Sequence, residues 1–66
     1  MGITVNGQPA ELTGTQTLSA YLTKKMDDLS GIIVEYNGQI IKQDQWATIT
    51  LQEKDNLEVL RFVGGG

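Results

Sequence analysis

The residues best suited to chemistry are the last three. Gly64-Gly65-Gly66 close the 66-residue sequence, and Gly66 carries its α-carboxylate. Such a carboxylate has a pKa of about 3.3–3.7, so it is ionised at neutral pH. As it stands it is a poor electrophile. Attack on the α-phosphate of ATP turns it into an acyl-adenylate, a mixed anhydride that sulfur or nitrogen nucleophiles can open. Glycine has no Cβ, so the tail is expected to be flexible and slim enough to thread a narrow enzyme channel. The chain is then the substrate and carrier of the chemistry, not its catalyst. Terminal glycines also occur as frayed ends, linker remnants or truncation points. A role is favoured here because the tail leaves directly from an apolar stretch, with no polar spacer.

The other chemically capable residues read more simply. Asp27 and Asp28 are sequence neighbours, and neighbouring positions on a helix point in different directions. They cannot share one proton or one metal, and they read as a solvated helix end. Asp44, Glu53 and Asp55 fall in turns, and their spacing fits no calcium loop. Ser19 and Ser30 have no histidine to activate them, since the chain has neither histidine nor cysteine. Disulfides, thiolate metal sites, thiol nucleophiles and Ser–His catalysis are therefore excluded. No Gly-rich phosphate loop joins a strand to a helix. The expectation is a non-enzyme that binds no metal or cofactor of its own.

Composition narrows the partners. Eight acidic against five basic residues give a net charge of −3. That argues against nucleic acid and against an anionic membrane surface. The longest apolar run, Ile32-Ile33-Val34, is too short to cross a bilayer. The N-terminal stretch lacks the apolar core of a signal peptide. Myristoylation at Gly2 would want Ser or Thr at the sixth position, where Asn6 stands. A cytoplasmic protein, monomeric when free, is expected. With 66 residues, 39 % of them apolar, the chain supports one small core. Without disulfide or metal staples its stability is expected to be about 3–5 kcal/mol.

The elements that position the tail follow from periodicity and turn chemistry. Ile3-Thr4-Val5 alternates, Asn6-Gly7 suits a type I′ turn, and Ala10 and Leu12 alternate again. This predicts a hairpin over roughly residues 2–13, with Pro9 placing its second strand at a sheet edge. Leu18, Tyr21, Leu22, Met26 and Leu29 fall at offsets 0, 3, 4, 8 and 11, one face of a helix. Thr15 or Thr17 can cap its start, and Ser30-Gly31 is expected to stop it. Ile32 to Tyr36 reads as a strand that turns at Asn37-Gly38 and returns through Ile40-Ile41. Gln43 to Gln45 is a polar link, and Ala47, Ile49 and Leu51 alternate as a further short strand. Glu53 to Asn56 is a turn. Leu57 to Val63 is the most apolar strand, which suits a central position with neighbours on both sides. One helix over one sheet with this order predicts an α+β, β-grasp architecture: a four- to five-stranded mixed sheet with one α-helix on one face. Residues 1–63 are expected to form the domain and 64–66 the tail.

At this level the chain resembles the ThiS family, the ubiquitin-like sulfur carriers of thiamin thiazole synthesis. The residues that carry the likeness are Ile3 to Gln8, Thr17-Leu18, the hairpin Val34 to Ile41 with Gln45-Trp46 beyond it, and Val63-Gly64-Gly65-Gly66. Lys42-Gln43 stand where family members often have Pro-Arg. The resemblance implies adenylation of Gly66 by an E1-like, ThiF-type adenylyltransferase that uses Mg-ATP. A persulfide sulfur then displaces AMP to leave a thiocarboxylate, and a ThiG-type thiazole synthase accepts that sulfur. Three other readings stay open. One is a MoaD-like carrier for molybdopterin, although members of that family tend to be longer. Another is a ubiquitin-like modifier. The last is a β-grasp binding module, which would tolerate loss of Gly65 and Gly66.

Alternation along the last strand separates two sets of side chains. Leu57 and Val59 are predicted to face the helix. Glu58, Leu60 and Phe62 then lie on the open face beside the tail, and with Val63 they are expected to meet a partner. Trp46 and Tyr21 are expected in the core and Tyr36 half-buried.

Overall fold

Two Asn-Gly turns set the register of the sheet. In the computed structural model, which describes residues 1–62, Asn6 and Gly7 have φ of 51° and 78°, and Asn37 and Gly38 have 50° and 88°. Positive φ at both central residues gives the twist that antiparallel neighbours need. The first turn joins β1 (Gly2–Val5) to β2 (Gln8–Glu11), and the second joins β3 (Ile32–Tyr36) to β4 (Gln39–Ile41). The last strand, β5 (Asn56–Arg61), lies between the hairpins, parallel to β1 and antiparallel to β3. The sheet order is β2-β1-β5-β3-β4, with Pro9 on an edge strand as expected. This is the five-stranded mixed sheet of a ubiquitin-like β-grasp fold.

The single helix, α1 (Leu18–Lys25), starts where Thr17 accepts a hydrogen bond from the Ala20 amide at 3.0 Å. Its buried residues are Leu18, Tyr21 and Leu22. They pack over Ile3, Ile32, Val34, Leu57 and Val59 from the sheet, with Leu12, Trp46 and Leu51 completing the core. Trp46 is buried, and its indole N–H donates to the Ile41 carbonyl at 3.2 Å. That bond is what allows an indole inside so small a core.

Two sequence expectations are corrected. The helix does not run to Leu29: it ends at Lys25, and Met26 is already extended. Beyond Met26 the chain is held in a turn, where Asp28 accepts from both the amide and the hydroxyl of Ser30. Met26 and Leu29 still pack against the core, so the apolar spacing is satisfied without helical backbone. The strand expected over Ala47 to Leu51 is also absent. Gln43–Thr48, which includes the polar link, forms a 3₁₀ helix that carries Trp46 inward. After it only Thr50 makes a strand-like bridge, to Thr17. Ile49 accepts from the Leu18 amide at 2.8 Å and the Leu51 amide donates to Gln16 at 2.9 Å. Those bonds tie this segment to the helix start, so it never joins the sheet.

Candidate functional site

β5 is the element that positions the candidate site. β3 pairs it from Leu57 to Arg61, while β1 pairs only Asn56 and Leu57 and the Asn6 side chain extends that hold to the Val59 backbone. Leu57 and Val59 are buried beneath the helix, while Leu60 is 58 % and Phe62 68 % exposed. The alternation predicted for this strand is therefore the one observed. Glu58 is half-buried on the same face as Leu60. Val63 and the tail residues Gly64, Gly65 and Gly66 lie outside the described residues.

The neighbouring strands widen the face. Leu60 pairs with Ile33 of β3, Glu58 with Glu35, and Glu35 with Ile40 of β4. Residues directly opposite one another share a face. Ile33 and Ile40, 38 % and 70 % exposed, thus join Leu60 and Phe62 in one apolar surface that contains two carboxylates. Sequence reasoning did not single out Ile33 or Ile40. The signal was available: Val34 is a core residue, so period-2 alternation turns Ile33 and Glu35 outward. Opposed like charges at Glu35 and Glu58 weaken the free sheet slightly and favour a basic group on whatever covers it.

A second cluster anchors the start of β5. Asp55 is the one buried charged side chain among the described residues. Its carboxylate accepts from Tyr36 Oη at 2.7 Å, from the Gln52 amide at 2.7 Å and from Asn37 Nδ2 at 3.1 Å. Asn37 Oδ1 in turn accepts from the Asn56 amide at 2.8 Å. The β3–β4 turn is thereby fastened to the first residue of the central strand. Burial pushes the Asp55 pKa up, but the bonds from Tyr36, Gln52 and Asn37 outweigh it and hold the carboxyl below its ordinary value. The same contact pushes Tyr36 up to about 12, with burial adding to it. Burial alone raises Tyr21.

An alkaline titration followed by tyrosinate absorbance should therefore show both phenols ionising above the ordinary pKa of about 10. Tyr36 is expected last, near 12. Its folded-state pKa lies above the unfolded one, so its contribution to stability is complete below about pH 10 and lost as pH rises through the folded pKa. In Asp55→Asn the Tyr36 titration should move back towards the ordinary value. A Tyr36 titration that ignores this substitution would contradict the contact.

Among the described residues there is no cavity, no cluster of three or more His, Cys, Asp or Glu side chains able to hold a metal, and no helix long and apolar enough to cross a membrane. What these residues offer is a surface beside the end of a central strand.

Known proteins share this arrangement. The thiamine biosynthesis protein ThiS of Geobacter metallireducens superposes in its crystal form with a TM-score of 0.86, at 30 % identity and full coverage of both chains. Its solution structure gives 0.78, covering all of this chain and 88 % of that one. Thiazole synthases of Paramagnetospirillum magneticum and Magnetococcus marinus are 29 % and 32 % identical over 66 residues. This chain spans only 20 % of the length of each of those two proteins. An uncharacterised protein of Trieres chinensis, ycf40, is 32 % identical over 62 residues, which are 94 % of this chain and 85 % of that one. The family model of the ThiS family matches residues 3–66, from the first strand through the glycines. With the match running the length of the chain and the fold shared at full coverage, this protein belongs to the ThiS family.

Proposed function

We propose that this chain is a sulfur carrier of thiamin biosynthesis, working in the cytoplasm as a substrate of other enzymes. The observation that carries the reading is the family match, which extends through Gly66. A ThiF-type adenylyltransferase binds Mg-ATP and docks Glu58, Leu60 and Phe62 of the open face, together with Val63. The Gly66 carboxylate oxygen attacks the α-phosphorus of ATP, and pyrophosphate leaves with the electrons of the broken P–O bond. The terminal sulfur of a protein persulfide then attacks the acyl carbon, and AMP leaves. A thiol attacks the resulting acyl disulfide at its outer sulfur, releasing the thiocarboxylate and a new disulfide. A ThiG-type thiazole synthase takes the sulfur for ring formation.

The chain's own contribution is to bind and to aim. Four residues follow Phe62, and a fully extended stretch of that length spans at most about 14 Å. The docking face and the reacting carboxylate are thus within one short tail of each other. Glycine at the last three positions lets the backbone pass close to enzyme walls.

Intact mass tests the reading. After incubation with ATP, a persulfide donor and a ThiF-type enzyme, a fraction of the chain should gain the difference of one sulfur replacing one oxygen, at the C-terminus. No gain with an enzyme that thiolates its own carrier counts against the proposal. The docking face has a separate kinetic signature. Replacing both Leu60 and Phe62 by Ser should raise the KM for the carrier about 30-fold, the effect of losing one apolar hot spot. kcat at saturation should change little, because only uniform binding is removed. An unchanged KM would place docking elsewhere.

A further inference from the structure

We infer that Arg61 is a positioning residue for the adenylation reaction, because it fastens the 26–31 loop to the point where the tail leaves the sheet. The inference rests on the carrier reading above. Arg61 pairs with Ile32, so it points to the helix side of the sheet, away from the docking face. There its guanidinium donates to the Ser30 carbonyl from Nη1 at 3.0 Å and to the Asp28 carbonyl from Nη2 at 2.8 Å. The Asp28 carboxylate lies 3.8 Å from Nη1. It is itself held by Ser30, whose hydroxyl donates to it at 2.7 Å and whose amide donates at 3.0 Å. Those two Ser30 bonds, with Arg61 adding to them, keep Asp28 below the ordinary carboxylate pKa.

The loop closes on the next residue as well. The Phe62 amide donates to the Gly31 carbonyl at 2.6 Å. Gly31 has φ of +72°, and a Cβ there would stand 3.0 Å from the Phe62 carbonyl oxygen. Backbone approach this close needs glycine. The clasp therefore commits the chain to the sheet as far as Phe62, four residues before Gly66. Freed of it, Phe62 would no longer be fixed to the sheet, and the distance from docking face to carboxylate would no longer be set. Misplacing a reacting atom by about 1 Å can cost about 100-fold in rate. A planar fork with several donors suits two carbonyls at once, whereas a lysine ammonium is a single point on a flexible stem.

The test is ATP–pyrophosphate exchange by a ThiF-type adenylyltransferase that accepts the wild-type chain, using R61A and R61K. Amide hydrogen exchange at Phe62 is followed in the same proteins without the enzyme. R61A should lower kcat about tenfold while KM rises less than about threefold, since Leu60, Ile33 and Ile40 stay fixed on paired strands and Phe62 alone loosens. R61K should fall between, and it keeps the test open if R61A folds poorly. Exchange at the Phe62 amide should be faster in both variants, in the same order. Wild-type kcat in both variants overturns the inference, as does a KM effect without a kcat effect, which would assign Arg61 to docking. Unchanged Phe62 protection overturns it too. If the wild-type chain itself supports no exchange, the carrier reading is what fails, and Phe62 protection still decides whether the clasp exists.

Discussion

Removal of Gly66 should cut thiocarboxylate formation by at least about 100-fold and leave the domain folded. The shortened chain still ends in a carboxylate, on Gly65, so the chemistry of the group is unchanged. What changes is reach. One residue spans up to about 3.5 Å, several times the misplacement that a near-attack geometry tolerates. Every buried core residue described lies at or before Val59, so the truncation leaves the packing alone. Docking through Leu60 and Phe62 should persist, and the truncated chain should compete with the full chain for the adenylyltransferase. Intact mass after sulfur transfer gives the first number, and inhibition of wild-type adenylation gives the second. Full thiolation of the truncated chain would mean that the glycines are only a tail, and the binding-module reading would move ahead.

Replacing Asp55 by Ala should destabilise the domain by about 2–3 kcal/mol. Tyr36 Oη and Asn37 Nδ2 lose an acceptor, but both side chains can turn to water. The Gln52 amide, bonded to the same carboxylate, is fixed in the backbone and cannot reorient to another protein acceptor. Set against a total of about 3–5 kcal/mol, the loss should at least roughly halve the urea midpoint. Asp55→Asn keeps the shape and one acceptor, and should fall between. The effect has a pH signature. The folded-state pKa of Asp55 is depressed. Its contribution is therefore complete above the ordinary carboxylate range, near pH 4, and is lost as pH falls through the folded-state value. The gap between wild type and Asp55→Ala should close below that range. Urea melts at a neutral and an acid pH decide it, and equal gaps at both would show that the charge contributes nothing.

Much of the scaffold is legible locally. Asn6-Gly7 and Asn37-Gly38 name their turn type because few other pairs accept positive φ twice. Thr15 and Thr17 mark the helix start because a hydroxyl there can accept an orphan amide, and the structure uses Thr17. The apolar richness of residues 57–63 names the central strand, and alternation within it separates Leu57 and Val59 from Leu60 and Phe62. The ThiS likeness is carried by these same short segments, and the family match bears it out. Gly64, Gly65 and Gly66 lie outside the described residues, and the chemistry proposed for them rests on their residue types and the ThiS likeness.

The misreadings share a cause. Helical spacing from Leu18 to Leu29 is real, yet the helix ends at Lys25, and the loop that follows is held by Arg61, more than thirty residues away. Ile49 and Leu51 alternate like a strand, yet their partners are Gln16 and Leu18 rather than a sheet edge. Asp55 reads as a solvated turn residue until Tyr36 and Asn37, 19 and 18 residues distant, are brought against it.

The sequence by itself determined the turns, a helix starting at Thr15 or Thr17, the central place of β5, and the face of β5 that looks outward. Each depends on a few neighbouring residues and their own φ, ψ and polarity. Only the tertiary structure decided where the helix ends, which carboxylate is buried, and that Ile33 and Ile40 join Leu60 and Phe62 in one surface. Those outcomes depend on hydrogen-bond partners and strand neighbours that become close only once the chain has folded.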